Sequence, residues 1–175
     1  MIHRRPDVSE YNTRYSRYID LVPESDICAA MSQQMEMTKT FVGGISEATT
    51  DFRYATGKWS IREVVGHVLD TERIFGFRML CFARGDTTGL ERANENLYVR
   101  NADFGRFKME ELLDEFILVQ RSNIMLMRHL PDEAWDRTGT VSGTPISVRA
   151  IGYLMVGHER HHLGVIRSKY LHQGA

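Results

Sequence analysis

Two cysteines, no long apolar run and no excess charge of either sign set the first limits on this sequence. Cys28 and Cys81 show no CxxC spacing and no disulfide framework. Both sit in apolar helical patterns and are expected to be buried thiols in a reducing compartment. No apolar stretch approaches the roughly 18 residues of a membrane span. Met1–Glu10 lacks the apolar core and small-residue cleavage site of a secretory leader. A cytoplasmic location is the expectation. The 22 Lys and Arg residues face 23 Asp and Glu, for a net charge of −1. Arginine outnumbers lysine 18 to 4, yet the arginines are scattered and form no basic run. Nucleic-acid binding rests on neutralising many phosphates, so it is not expected. Repeats and low-complexity segments are absent too.

What is present is helical periodicity. The 175 residues are 42% hydrophobic and 26% charged, enough for one globular domain with a sizeable core. Ile27, Met31, Met35, Thr38 and Val42 recur at helical spacing between about Asp26 and Ile45, and Gly43-Gly44 weakens the end. A second helix opens at Trp59-Ser60-Ile61-Arg62-Glu63-Val64, where Ser60 and Glu63 can form a capping box. It should run to about Arg84. A third spans about Lys108 to Leu130, before Pro131, and a fourth runs from the Ser147 cap to about Leu171. Four helices, each about 30 Å long, predict an all-α four-helix bundle.

The remaining segments complete that picture. Residues 1–24 read as an N-terminal arm packing on the bundle, which occupies residues 25–172. Tyr11, Tyr15 and Tyr18 form a stripe expected to pack on the body rather than to bind a ligand. Residues 85–107 are polar and Gly-containing, a connection between helices two and three too long for a tight hairpin. Gly139–Pro145 reads as a loop with a short hairpin.

Chemistry concentrates in His158-Glu159-Arg160-His161-His162. His158 and His162, four residues apart on a helix, stand one above the other on one face. That spacing lets two imidazoles reach one metal ion. Ile151, Leu154, Met155, Val165 and Ile166 define the expected inward stripe. It contains His158 and His162 and leaves His161 on its flank. Two imidazoles in an apolar seam need partners for their nitrogens. Either a metal supplies them, or these are core histidines bonded to Tyr, Asp or Glu of neighbouring helices. The same residues match HExxH, with Glu159 in the position of a general base. A protease is not expected, because only 13 residues follow His162 and no strand-bearing catalytic domain precedes it. Periodicity permits His67 as a third inward ligand without selecting it. His129, near the end of the third helix, is explained by the helix dipole. Cys81 lies roughly 21 Å beyond His67 along the helix and cannot share its site.

Taken together, Lys58-Trp59-Ser60-Ile61-Arg62-Glu63-Val64-Val65-Gly66-His67, Asp70-Thr71-Glu72-Arg73, Arg78, Phe82-Ala83-Arg84-Gly85-Asp86 and Gly157-His158-Glu159-Arg160-His161-His162 resemble the DinB-like superfamily. The resemblance implies a bundle of unusual helix connectivity, commonly a homodimer. It also implies a divalent metal held by His67, His158 and His162. Relatives include transferases dependent on bacillithiol, mycothiol or glutathione. One stretch departs from the pattern: where relatives often carry a Pro-Gly-Phe-Asp-like run, this chain reads Leu90-Glu91-Arg92-Ala93-Asn94-Glu95-Asn96.

Three histidines leave an open metal position, the arrangement of a catalytic rather than a closed site. Zinc or nickel is the expected ion. The favoured function is transfer of a low-molecular-weight thiol to an electrophilic small molecule. The alternatives are a metal-dependent hydrolase of unknown substrate, with Glu159 as base, and a non-catalytic, metal-stabilised, stress-associated binding module.

Overall fold

Side chains that satisfy free backbone amides set where the long helices begin. The computed structural model describes residues 4–171, so His3 and His172 lie outside the described residues. A one-turn helix α1, Ser16–Ile19, follows two short 3-10 turns in the arm. Asp26 accepts from the Ala29 amide at 3.0 Å and opens α2, Ile27–Gly43. Ser60 accepts from the Glu63 amide at 3.2 Å while Glu63 accepts from the Ser60 amide at 2.7 Å. This capping box opens α3, Ile61–Ala83. The connection that follows is not all loop, because Asn94 caps a two-turn helix α4, Glu95–Ala102. Helix α5, Met109–Arg128, precedes α6, Val148–Val165, whose Ala150 amide donates to Ser147 at 2.9 Å.

Four of these helices form the bundle. α2 packs on α5 and α6, and α3 packs on the same two, so α2 and α3 lie diagonally opposite. Crossing a diagonal needs more chain than a tight helical hairpin supplies. Residues 44–60 provide it, fastened by the buried Arg62, which reaches Glu47 at 2.8 Å and Asp51 at 3.0 Å.

α6 departs from the single inward stripe expected of it. Every residue from Val148 to Glu159 is buried, and α1, α2 and α3 all pack against the helix. A helix apolar nearly all round is the centre of a bundle rather than one of its walls. It runs on into a π-helical turn, Ile166–Leu171, where the Tyr170 hydroxyl donates to the Trp59 carbonyl at 2.7 Å.

The arm lies directly on α6. A Cβ placed on Gly157 would stand 2.1 Å from the carbonyl oxygen of Tyr18, so only glycine allows this approach. The hairpin expected near Gly139–Pro145 is present as β1, Thr138–Val141, and β2, Thr144–Ser147. Thr138 stands opposite Ser147, and the pair is closed by Ser142 and Gly143, both at positive φ. It braces the 90–96 stretch: the Leu90 amide donates to Thr140 at 2.9 Å and the Ser142 amide to Leu90 at 2.7 Å. Cys28 and Cys81 are half-buried rather than buried. Among the described residues no helix is long and apolar enough to cross a membrane.

Candidate metal centre

α3 and α6 bring three imidazoles to one point. The Nε2 atoms of His67 and His158 are 3.2 Å apart, and those of His158 and His162 are 3.1 Å apart. One ring nitrogen from each of the three lies within 4.8 Å of the others. His67 and His158 are buried and His162 is half-buried. The Thr71 hydroxyl, one turn after His67, donates to its carbonyl at 2.8 Å and stands 3.5 Å from Nδ1. Trp59 lies over His67, with ring centroids 4.9 Å apart, and Tyr18 and Phe75 flank His158 at 5.4 and 5.8 Å.

This arrangement suits a cation better than it suits hydrogen bonding. Burial pushes His67 down to about 4 and His162 down to about 3. It holds His158 well below the ordinary imidazole range, with the neighbouring histidines adding to the effect. All three rings are therefore neutral at pH 7, each with one N–H and one lone pair. The His158 Nε2 faces two other Nε2 atoms. As a donor it has one hydrogen for two acceptors, and as an acceptor one lone pair for two donors. No choice of tautomers satisfies both contacts. Three nitrogens at 2.0–2.1 Å from a tetrahedral ion would be about 3.3 Å apart, close to the separations found here.

The histidines open onto a cavity of about 560 Å³. Its wall includes Tyr15 and Tyr18 from the arm, contrary to the expectation that the tyrosine stripe only packs. Tyr11 alone of the three is buried. The reason is the glycine contact at Gly157, which seats the α1 turn beside His158. His161 also lines the cavity, 5.2 Å from the Tyr18 ring, rather than joining the three-nitrogen cluster.

The family model of the DinB superfamily matches residues 30–166. The chain belongs to the DinB superfamily. Two solved structures share its fold. YfiT from Bacillus subtilis, described as a probable metal-dependent hydrolase with an unusual four-helix bundle topology, is 18% identical at a TM-score of 0.77. That match covers 98% of this chain and 94% of YfiT. A mycothiol-dependent maleylpyruvate isomerase is 12% identical at a TM-score of 0.68, over 83% of this chain and 61% of its own. No curated protein sequence matches significantly.

In this DinB chain Glu159 is not placed as a base. It is fully buried, donated to by Thr38 and by Gln120 at 2.6 Å, and does not line the cavity. One residue past His158 it is turned about 100° round α6, into the seam with α2 and α5. A second acid, Glu72, is fully buried nearby and accepts from Asn123 at 3.2 Å. Burial pushes Glu72 up to about 8 and Glu159 up to about 7, so the bundle avoids holding two bare charges. These two acids join helices rather than face a substrate.

Sequence reasoning also left Arg78 without a role. It lines the cavity beyond Ile74 and Phe75. The signal was there, because 11 residues of helix return to within about 20° of the starting face. Arg78 therefore shares the face of α3 that carries His67.

Proposed function

We propose that His67, His158 and His162 hold one divalent ion, zinc or nickel, and that the chain is a metal-dependent transferase. It would move a low-molecular-weight thiol onto an electrophilic small molecule. The observation that carries this reading is the convergence of three neutral Nε2 atoms at the floor of an open cavity. An ion held by three imidazoles keeps a free position, where it can favour the thiolate form of a thiol or acidify water.

The chain's own residues fit the thiol chemistry. Neither Cys28 nor Cys81 lines the cavity, and burial raises the Cys28 thiol to about 11, so the nucleophilic sulfur comes from a second substrate. That sulfur forms the bond to the electrophilic carbon, the leaving group departs with its electron pair, and the thiol proton passes to solvent. Trp59, Tyr18 and Phe75 wall the histidines with aromatic surface. The description of the isomerase as mycothiol-dependent supports a thiol partner. A cytoplasmic homodimer belongs to the same reading.

A hydrolase is the second reading, favoured by the description of YfiT. It lacks the base first expected, since Glu159 faces away from the cavity. The test is conjugation of monobromobimane by full-length protein. The rate should require both metal and added thiol and should survive Cys28→Ser with Cys81→Ser. It should rise with pH through an apparent pKa below the roughly 8.5 of a free thiol. Conjugation unaffected by a chelator refutes the transferase. Metal-dependent ester hydrolysis without thiol selects the hydrolase.

A further inference from the structure

Three arginines are buried among the described residues: Arg62, Arg78 and Arg149. Two of them are neutralised. Arg62 pairs with Glu47 and Asp51, and Arg149 with Glu10 and Asp136. Arg78 is 8% exposed and has no carboxylate within ion-pair distance among the described residues; Nη2 donates to the Glu91 carbonyl at 2.9 Å. A guanidinium carries five N–H donors in a planar fork, and burying it without counter-charge is expensive. Desolvation works most against its charge and Arg92 adds to it, while Tyr15 and Tyr98 offset part of the effect. The bundle thus holds this guanidinium without an acidic partner among the described residues.

Its surroundings are short of negative charge as well. Arg14, Arg17 and Arg92 line the same cavity, and none of them forms an ion pair among the described residues. Of the two acids on the wall, Asp70 is paired with Arg73 at 3.3 Å and Glu95 is exposed. Arg92 lies in the stretch braced by the hairpin, and its amide donates to the Ser142 hydroxyl at 3.1 Å. Between His67 and Arg78, α3 lines the cavity with Asp70 and Thr71 near the histidines and with Ile74 and Phe75 nearer Arg78, and Val99 and Leu154 add apolar surface from other helices. His67 and Arg78 lie 11 residues apart on one helix face, roughly 16 Å along the axis.

We infer that Arg78, flanked by Arg92, is an oxyanion subsite, and that the cavity takes an elongated small molecule with a carboxylate or phosphate at that end. Its middle lies along α3 past Phe75, Ile74 and Thr71, and the reacting group reaches the three histidines. What happens at the histidine end rests on the proposed function; the anion subsite does not.

The test is calorimetric titration of the full chain, treated with a chelator, with hexanoate, hexyl phosphate and hexanol. The anions should bind about tenfold or more tightly than the alcohol, the scale of a charged hydrogen-bonded pair. The preference should weaken as salt is raised. The tighter of the two anions identifies the oxyanion. In Arg78→Met the preference should fall below about threefold, and Arg78→Lys should keep part of it by retaining the charge. Equal affinity of wild-type protein for anion and alcohol overturns the inference and needs no variant. A full preference surviving in folded Arg78→Met also overturns it. Because the chelated protein carries no ion, anion preference in a chain that never binds metal leaves this subsite standing and ends the metal reading. Metal-dependent conjugation without anion preference does the reverse.

Discussion

Replacing Gly157 by alanine should loosen the arm that walls the candidate centre. The new Cβ would lie 2.1 Å from the Tyr18 carbonyl oxygen, 2.5 Å from its carbon and 3.2 Å from its Cα. These are backbone atoms, so no side-chain rotation relieves the contact and the whole α1 turn must lift. Overpacking of this kind costs about 1–3 kcal/mol. Alanine recovers about 1 kcal/mol of helix propensity. The net loss, up to about 2 kcal/mol, should lower Tm by up to roughly 8 °C in a chain of this length. Gly164→Ala is the control in the same helix. No atom lies within 4 Å of its Cβ, so it should be neutral or gain up to about 1 kcal/mol. The assay is urea denaturation in chelator, comparing midpoints at unchanged slope, so that ion binding does not contribute. Equal behaviour of the two variants would refute the seating of the arm on α6.

Ser60→Ala should cost about 0.5–2 kcal/mol by freeing the Glu63 amide at the start of α3; an unchanged urea midpoint would contradict the capping box. The chelated protein should be most stable at roughly pH 6 to 7. The lowered pKa values of His67, His158 and His162 mean that the unfolded chain binds more protons, so stability climbs with pH until about 6.5. The raised values of Glu72 and Glu159 act oppositely. Their contribution is complete below their ordinary value of 4.5 and is lost as pH rises through about 7 and about 8. Glu72→Gln should flatten the alkaline fall in a denaturation series across pH. Stability still rising between pH 7 and 8 in the parent protein would show that these acids are not held neutral.

The long helices were legible because their apolar residues recur at helical spacing and three of the four begin at a side-chain cap. Ser60 and Ser147 cap α3 and α6 in the fold as read in the sequence, and Asp26, read only as the start of the first helix, proves to be its cap. Helix α4 was not, since its eight residues lie in a polar stretch and form two turns too short to display periodicity. The pairing of α2 and α3 across a diagonal is a tertiary choice that no local pattern encodes. His158 and His162 could be matched by spacing, while His67 needed the family resemblance. Glu159 was misplaced because α6 is buried on every side, so a pattern of apolar residues does not say which face meets the cavity. The arm tyrosines were misjudged for a related reason: a stripe that packs can also form a wall. Arg78 is one of six charged residues in α3, and it stands out only when its lack of a carboxylate partner among the described residues is seen beside the paired Arg62 and Arg149.

The central claim is that three histidines from two helices hold one ion. It is tested most directly by measuring the metal content, by mass spectrometry, of protein purified without a histidine tag and equilibrated with zinc and with nickel. The parent chain should retain about one equivalent of at least one of these metals. His67→Ala, His158→Ala and His162→Ala should each lose most of it, while His161→Ala, outside the cluster, should keep it. A parent protein that retains neither metal, or a folded His158→Ala variant that retains a full equivalent, would contradict the account.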